Sequence, residues 1–367
     1  MSLAYGEQTS LSWRKRRAGQ RLMIGFHGAS PSDELRALVR EVVPAGFILF
    51  ARNVDELAQV RELNRELTSL LPASHPPFLG VDQEGGRVQR IRATAWPRAR
   101  WVGNVDDVRR TGELAGAMTD ELRALGFNVN FAPSFDVDSN PKNPVIGDRS
   151  FGTRPAVVAR HGVAFVRAMQ DRGLIAAAKH FPGHGDTAVD SHHDLPKVEK
   201  ELPELREVEL PPFRAAVEAG VGMVMTSHVV FPALDEDWPT TLSPRVLVPL
   251  LRQELGFGGV VVSDDMEMKA VAGRYPLDVQ LERATRATVD LFLFCHEHPL
   301  QWTAWETLVR QQEQDKALDR LAEDSERRLH ALRERFFKNR PRTPELSVVG
   351  STGHQVLARQ FQADGMA

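Results

Sequence analysis

Carboxylates, imidazoles and cations gather in a few short segments of this 367-residue chain. Asp82-Gln83-Glu84-Gly85-Gly86-Arg87-Val88-Gln89-Arg90 is the first. Asp136 and Asp138 follow, then a loop that carries Asp148-Arg149. Lys179-His180-Phe181-Pro182-Gly183-His184-Gly185-Asp186-Thr187 is succeeded at once by Asp190-Ser191-His192, and Ser227-His228 and Ser263-Asp264-Asp265-Met266 complete the set. Such residues suit acid–base and nucleophilic chemistry. An imidazole titrates near neutrality and can give or take a proton, and a carboxylate can attack carbon or hold an imidazole in place. Each segment alone has a plainer reading: a strand-end cap, a solvated loop, a structural ion pair, or a tight turn at the glycines. His180 and His184 have the i, i+4 spacing of a helical zinc pair. Pro182 and Gly183 between them oppose a helix, so no metal and no cofactor are expected.

The elements that must position these segments repeat one module. Amphipathic stretches end at Gly126, Gly173, Gly220 and Gly256, each placed as a left-handed residue just past a helix. Short apolar runs follow directly: Phe127–Ala132, Leu174–Ala178, Val221–Met225 and Phe257–Val262. Arg21–Phe26, Gly46–Phe50 and Pro77–Val81 upstream, and Val289–Phe294 downstream, bring the runs to eight. Continuous short apolar runs suit strands buried on both faces, and Ser243-Pro244 reads as an N-cap with proline at N1. Strands alternating with helices predict an α/β fold. Eight units predict a closed (β/α)8 TIM-type barrel, with an open doubly wound sheet as the alternative. The expected division is an N-terminal arm over 1–19, the barrel over 20–315, and a C-terminal helix and tail over 316–367. In such a barrel the loops after the strands share one mouth, and nearly every polar segment falls there.

Composition narrows the remaining classes. With 42% hydrophobic and 26% charged residues the chain is globular. One cysteine, Cys295, permits neither an internal disulfide nor a cysteine-based zinc site. A net charge of −3 gives no general attraction to nucleic acid or an anionic membrane. No apolar run approaches the ~20 residues of a membrane span. Arg14-Lys15-Arg16-Arg17 lacks an apolar segment behind it, so a cytoplasmic protein with a solvated basic arm is expected.

Taken together, the segments resemble glycoside hydrolase family 3, in its β-N-acetylglucosaminidase branch. The resemblance runs from about Leu22 to Phe294 and is strongest over Lys179–Pro196. It implies a retaining hydrolase that releases terminal β-linked N-acetylglucosamine from a small oligosaccharide or muropeptide. Asp264 would be the nucleophile, His192 the acid/base, and Asp190 the partner that fixes the imidazole tautomer. Asp82, Arg90, Arg149, Lys179 and His180 would bind the sugar hydroxyls through charge-assisted hydrogen bonds. Arg87 reads as structural, while His184, Asp186 and His228 either shape the loops or line the site. Asp265 should point away from Asp264, because neighbouring side chains on a strand alternate. Alternatives are a phosphorylase or a β-glucosidase on the same scaffold, a metal-dependent hydrolase, and a non-catalytic glycan-binding protein.

Overall fold

All eight apolar runs form strands of one parallel sheet closed on itself. The computed structural model describes residues 12–187 and 195–366. The strands are β1 (Leu22–Ile24), β2 (Gly46–Leu49), β3 (Phe78–Val81), β4 (Val129–Asn130), β5 (Ile175–Phe181), β6 (Met223–Thr226), β7 (Val260–Asp265) and β8 (Leu291–Phe294). Each pairs with its neighbours in sequence, and β8 closes onto β1 with Leu22 opposite Phe292.

The alternation of side chains along each strand creates two cores. Met23, Ile48, Val129, Ile175, Met223 and Val260 fill the barrel. Leu22, Ile24, Phe47, Val224 and Phe292 point outward, into a larger layer shared with the helices. The helices that cover this layer are α1 (Asp33–Val42), α2 (Leu57–Ser69), α3 (Val108–Ala124), α4 (Pro155–Asp171), α5 (Leu210–Glu218), α6 (Leu277–Arg286) and α7 (His298–Gln314). Between β6 and β7 the cover is a helical turn, Pro244–Val246, running into a π-helical stretch, Leu247–Glu254. Ser243 caps that turn through its Oγ, which accepts the Val246 N–H at 3.2 Å. Gly126 and Gly173 end α3 and α4 at φ +93° and +75°, a conformation that penalises any Cβ.

Three features differ from the sequence reading. β5 and β7 run on past their apolar residues, through Lys179-His180 and Asp264-Asp265. Ladder bonding belongs to the backbone, so it continues where hydropathy stops. The basic N-terminal segment is not a solvated arm. Residues 12–19 are mostly helical, and Arg14 and Arg17 pair with Asp319, Glu323 and Glu326. Those acids sit on α8 (Lys316–Phe337), whose Leu329, Leu332 and Phe336 plug the barrel floor. Finally, the tail carries a 15-residue helix, α9 (Thr352–Met366), packed on Ala99–Val105.

Candidate active site

The C-terminal ends of the strands open on a cavity of about 230 Å³, lined by Asp82, Arg90, Arg149, Lys179, His180 and Asp264 among others. Chain segments nearly two hundred residues apart thus meet at one mouth. Asp190 and His192 lie outside the described residues.

A dry ion network forms one wall. Lys179 Nζ lies 2.9 Å from Asp82 Oδ1 and 2.7 Å from Glu84 Oε1. Arg149 donates to both Glu84 oxygens, at 2.9 and 2.8 Å. Arg90 reaches the other oxygen of Asp82 at 3.3 Å. Burial alone would raise the Glu84 carboxyl, but Arg149 and Lys179 outweigh it and hold the group well below the usual carboxylate range. Lys179 is raised in turn, because Asp82 and Glu84 overcome the effect of its burial. Lys179 and Glu84 therefore stay charged although little water reaches them.

A second set orients the imidazole of His180. Its Nδ1 lies 2.7 Å from Asp136 Oδ2, and the Asp136 carboxylate also accepts the backbone N–H groups of His180 and His184. Ser134 Oγ donates to the same carboxylate at 2.9 Å. Arg149 Nη2 stands 3.4 Å from His180 Nε2. The Asp136 carboxylate facing Nδ1 keeps a ring N–H on that nitrogen and fixes the ring's orientation. Burial, joined by His180, depresses His184 to about 4, so its ring is neutral at physiological pH.

Asp264 lines the same cavity. Its Oδ1 accepts the Asp265 N–H at 2.8 Å. Burial would raise its carboxyl; His180, His228, the Asp265 N–H and Lys179 together lower it, so Asp264 is anionic. Asp265 shares the cavity lining, although alternation along the strand predicts the opposite face. It is the last strand residue, and its Oδ1 turns to accept the Glu267 N–H at 3.1 Å. Burial, Glu267 and Asp264 push it up to about 7. The two carboxyls at this strand end are therefore in opposite regimes.

Several sequence readings gain a geometry here. Arg87 is half-exposed and pairs with Asp148, away from this lining. His228 bridges Thr241 Oγ1 and the Asp265 carbonyl, steadying the end of β7. Asp186 accepts from Ser139 in the loop. His180 and His184 lie on a strand and the turn beyond it, as the proline and glycine between them suggest. Among the described residues, the carboxylate and imidazole atoms of Asp265, Glu267 and His296 come within 4.8 Å of one another and could hold a cation. That group was not visible in the sequence, since His296 follows a different strand. Phe50 and His296 were also missed as site residues, because neither sits in a distinctive motif, and Asp136 was placed among the mouth segments without a role.

The hairpin strands Gln83–Gly85 and Val88–Gln89 carry Glu84 into the site, and the loop behind them is held from outside the barrel. Glu121 of α3 is buried and accepts from Thr94 Oγ1 (2.5 Å), Trp96 Nε1 (3.3 Å) and the Gly350 N–H (3.0 Å). Its Oε1 also lies 2.9 Å from His354 Nδ1 on α9. The C-terminal segment thus braces the loop that follows the hairpin.

The chain matches the glycosyl hydrolase family 3 N-terminal domain over residues 15–332. It belongs to glycosyl hydrolase family 3. Among similar family 3 proteins, β-hexosaminidase A of Pseudoalteromonas piscicida is 39% identical over 75% of this chain, which spans only 52% of that protein. A β-hexosaminidase of Thiobacillus denitrificans is 38% identical, with 76% of this chain and 78% of that protein covered. A family 3 β-N-acetylglucosaminidase from Paenibacillus superposes with a TM-score of 0.89 at 39% identity, covering 96% of this chain and 68% of that one. NagZ from Neisseria gonorrhoeae, solved with N-trifluoroacetyl-D-glucosamine, gives a TM-score of 0.76 at 28% identity, covering 94% and 98%.

Proposed function

We propose that this family 3 chain is a retaining, exo-acting β-N-acetylglucosaminidase. One observation carries the reading: a partly buried, anionic Asp264 shares a small cavity with the Asp82–Lys179–Glu84–Arg149 network. Ionised donors and acceptors fixed before the substrate arrives favour a terminal sugar whose hydroxyls match them, and reject rings with misplaced hydroxyls. The N-acetyl preference rests on the named relatives.

In this reading Asp264 attacks the anomeric carbon. The C–O bond to the leaving group breaks as His192 gives that oxygen its proton, leaving a glycosyl ester on Asp264. Water then attacks the anomeric carbon as His192 takes its proton, the bond from that carbon to Asp264 breaks and frees the carboxylate, and the sugar leaves with its β configuration. Asp190 holds the ring and stabilises the imidazolium. Small muropeptide fragments in a bacterial cytoplasm are the proposed substrates. A panel of p-nitrophenyl β-glycosides tests the substrate class: N-acetylglucosaminide should be cleaved well above glucoside and xyloside. Faster glucoside cleavage would overturn the N-acetyl assignment.

A further inference from the structure

At the opposite end of the barrel from the mouth lies a second cavity, of about 290 Å³. Gln20 enters it just ahead of β1, His75 just ahead of β3, and Glu326, His330 and Arg333 from α8. Arg333 is only 8% exposed. It donates to the carbonyls of Pro76 (3.1 Å) and Ala45 (3.3 Å) and lies over the Phe78 ring. No carboxylate pairs with it among the described residues. The acid in the lining, Glu326, is taken by Arg17 at 3.0 Å. Gln20 donates from Nε2 to Val43 and Pro44, which fixes its amide, and its buried Oε1 has no hydrogen-bond partner.

A buried cation without a counter-charge and a buried acceptor without a donor are both costly. One kind of ligand relieves both at once: an oxyanion that carries its own O–H. We propose that the floor cavity binds phosphate, either free or as the monoester of a small hydroxylated molecule. Arg333 meets the anionic oxygens, His75 and His330 line the same cavity, and Gln20 Oε1 accepts from the P–OH or from a neighbouring hydroxyl. Sulfate has the same shape but no proton at neutral pH, so preference for phosphate over sulfate is the signature. The site is independent of the reaction at the mouth, since no residue is shared between the two linings.

Calorimetric titration of the full chain with inorganic phosphate, sulfate and glucose 6-phosphate near neutral pH tests this. Phosphate or the monoester should bind about tenfold more tightly than sulfate, the tighter of the two naming the source. Replacing His75 and His330 together by Ala should weaken that binding about tenfold, whereas Arg90→Ala at the mouth should leave it unchanged. Because Arg333 also ties down the Pro76 and Ala45 carbonyls, Arg333→Met tests folding as much as binding, so crystals of the unaltered protein soaked in phosphate give a second readout: density between Arg333 and Gln20. Equal affinity for sulfate, loss of binding in Arg90→Ala alone, or density only at the mouth would overturn the proposal.

Discussion

Arg149 grips Glu84 with a two-pronged contact, Nε to Oε2 at 2.9 Å and Nη2 to Oε1 at 2.8 Å. That contact makes the mouth sensitive to acid. The Glu84 carboxyl is depressed below its ordinary 4.5 by Arg149 and Lys179 against the pull of burial. Its stabilisation is therefore complete above 4.5 and drains away as pH falls below that value. Urea unfolding between pH 7 and 3 should show a loss of up to about 1.4 kcal/mol per pH unit from this group below pH 4.5. Glu84→Gln should flatten that slope and cost about 3–5 kcal/mol at pH 7, since two buried cations lose a partner. Parallel pH profiles for the two proteins would refute the assignment.

Asp265 runs in the other direction. Its folded value of about 7 exceeds the ordinary 3.8, through burial, Glu267 and Asp264. The folded state thus holds a proton that the unfolded state has lost, and stability falls as pH rises through that window. Asp265→Asn should gain on the order of 2 kcal/mol over wild type between pH 4 and pH 8 in the same unfolding assay. Its kcat should stay within about tenfold of wild type, because Asp265 takes no part in bond making. A loss as severe as that of Asp264→Ala would mean that the nucleophile has been misassigned.

The tail should matter to the sugar site. His354→Ala and Glu121→Gln each loosen the brace behind the loop after the hairpin, and Glu121→Gln weakens four contacts at once. KM should rise about tenfold with kcat changed less, as expected when ground-state and transition-state binding fall together. Kinetic constants for both variants, with thermal melting to confirm folding, check this. An unchanged KM in a folded Glu121→Gln would restrict the tail to general stability.

Removing His192 should separate substrates by leaving group. General acid–base help is worth about 10²–10⁴-fold, so His192→Ala should cripple cleavage of a natural disaccharide. Cleavage of a dinitrophenyl glycoside needs no proton and should form the glycosyl-enzyme nearly as fast as before. Azide should then accelerate turnover and appear as glycosyl azide. Equal slowing of both substrates with no azide effect would move the proton donor elsewhere.

The barrel was legible in the sequence because its signal is repetitive. Eight apolar runs, and glycines such as Gly126 and Gly173 at the helix ends, report one physical requirement many times over. The site segments were legible as clusters, since Lys179-His180 and Asp264 sit where the strands stop being apolar. Their pairing was not. Nothing local says that Asp136 rather than Asp138 holds His180, or that Glu84 takes both Lys179 and Arg149, because such contacts depend on the relative height of neighbouring strands. The basic N-terminal residues misled for the same reason: the acids that bind them lie some three hundred positions away, on α8.

The most direct test of the account is covalent trapping. Incubation with 5-fluoro-N-acetylglucosaminyl fluoride, then proteolysis and mass spectrometry, should find one sugar esterified to the peptide that contains Asp264. Fragmentation should place it on that residue, and NMR of the normal reaction should show the β-anomer forming first. A label on Asp265, or an α-anomer as the first product, would contradict the assignment of Asp264 as the nucleophile.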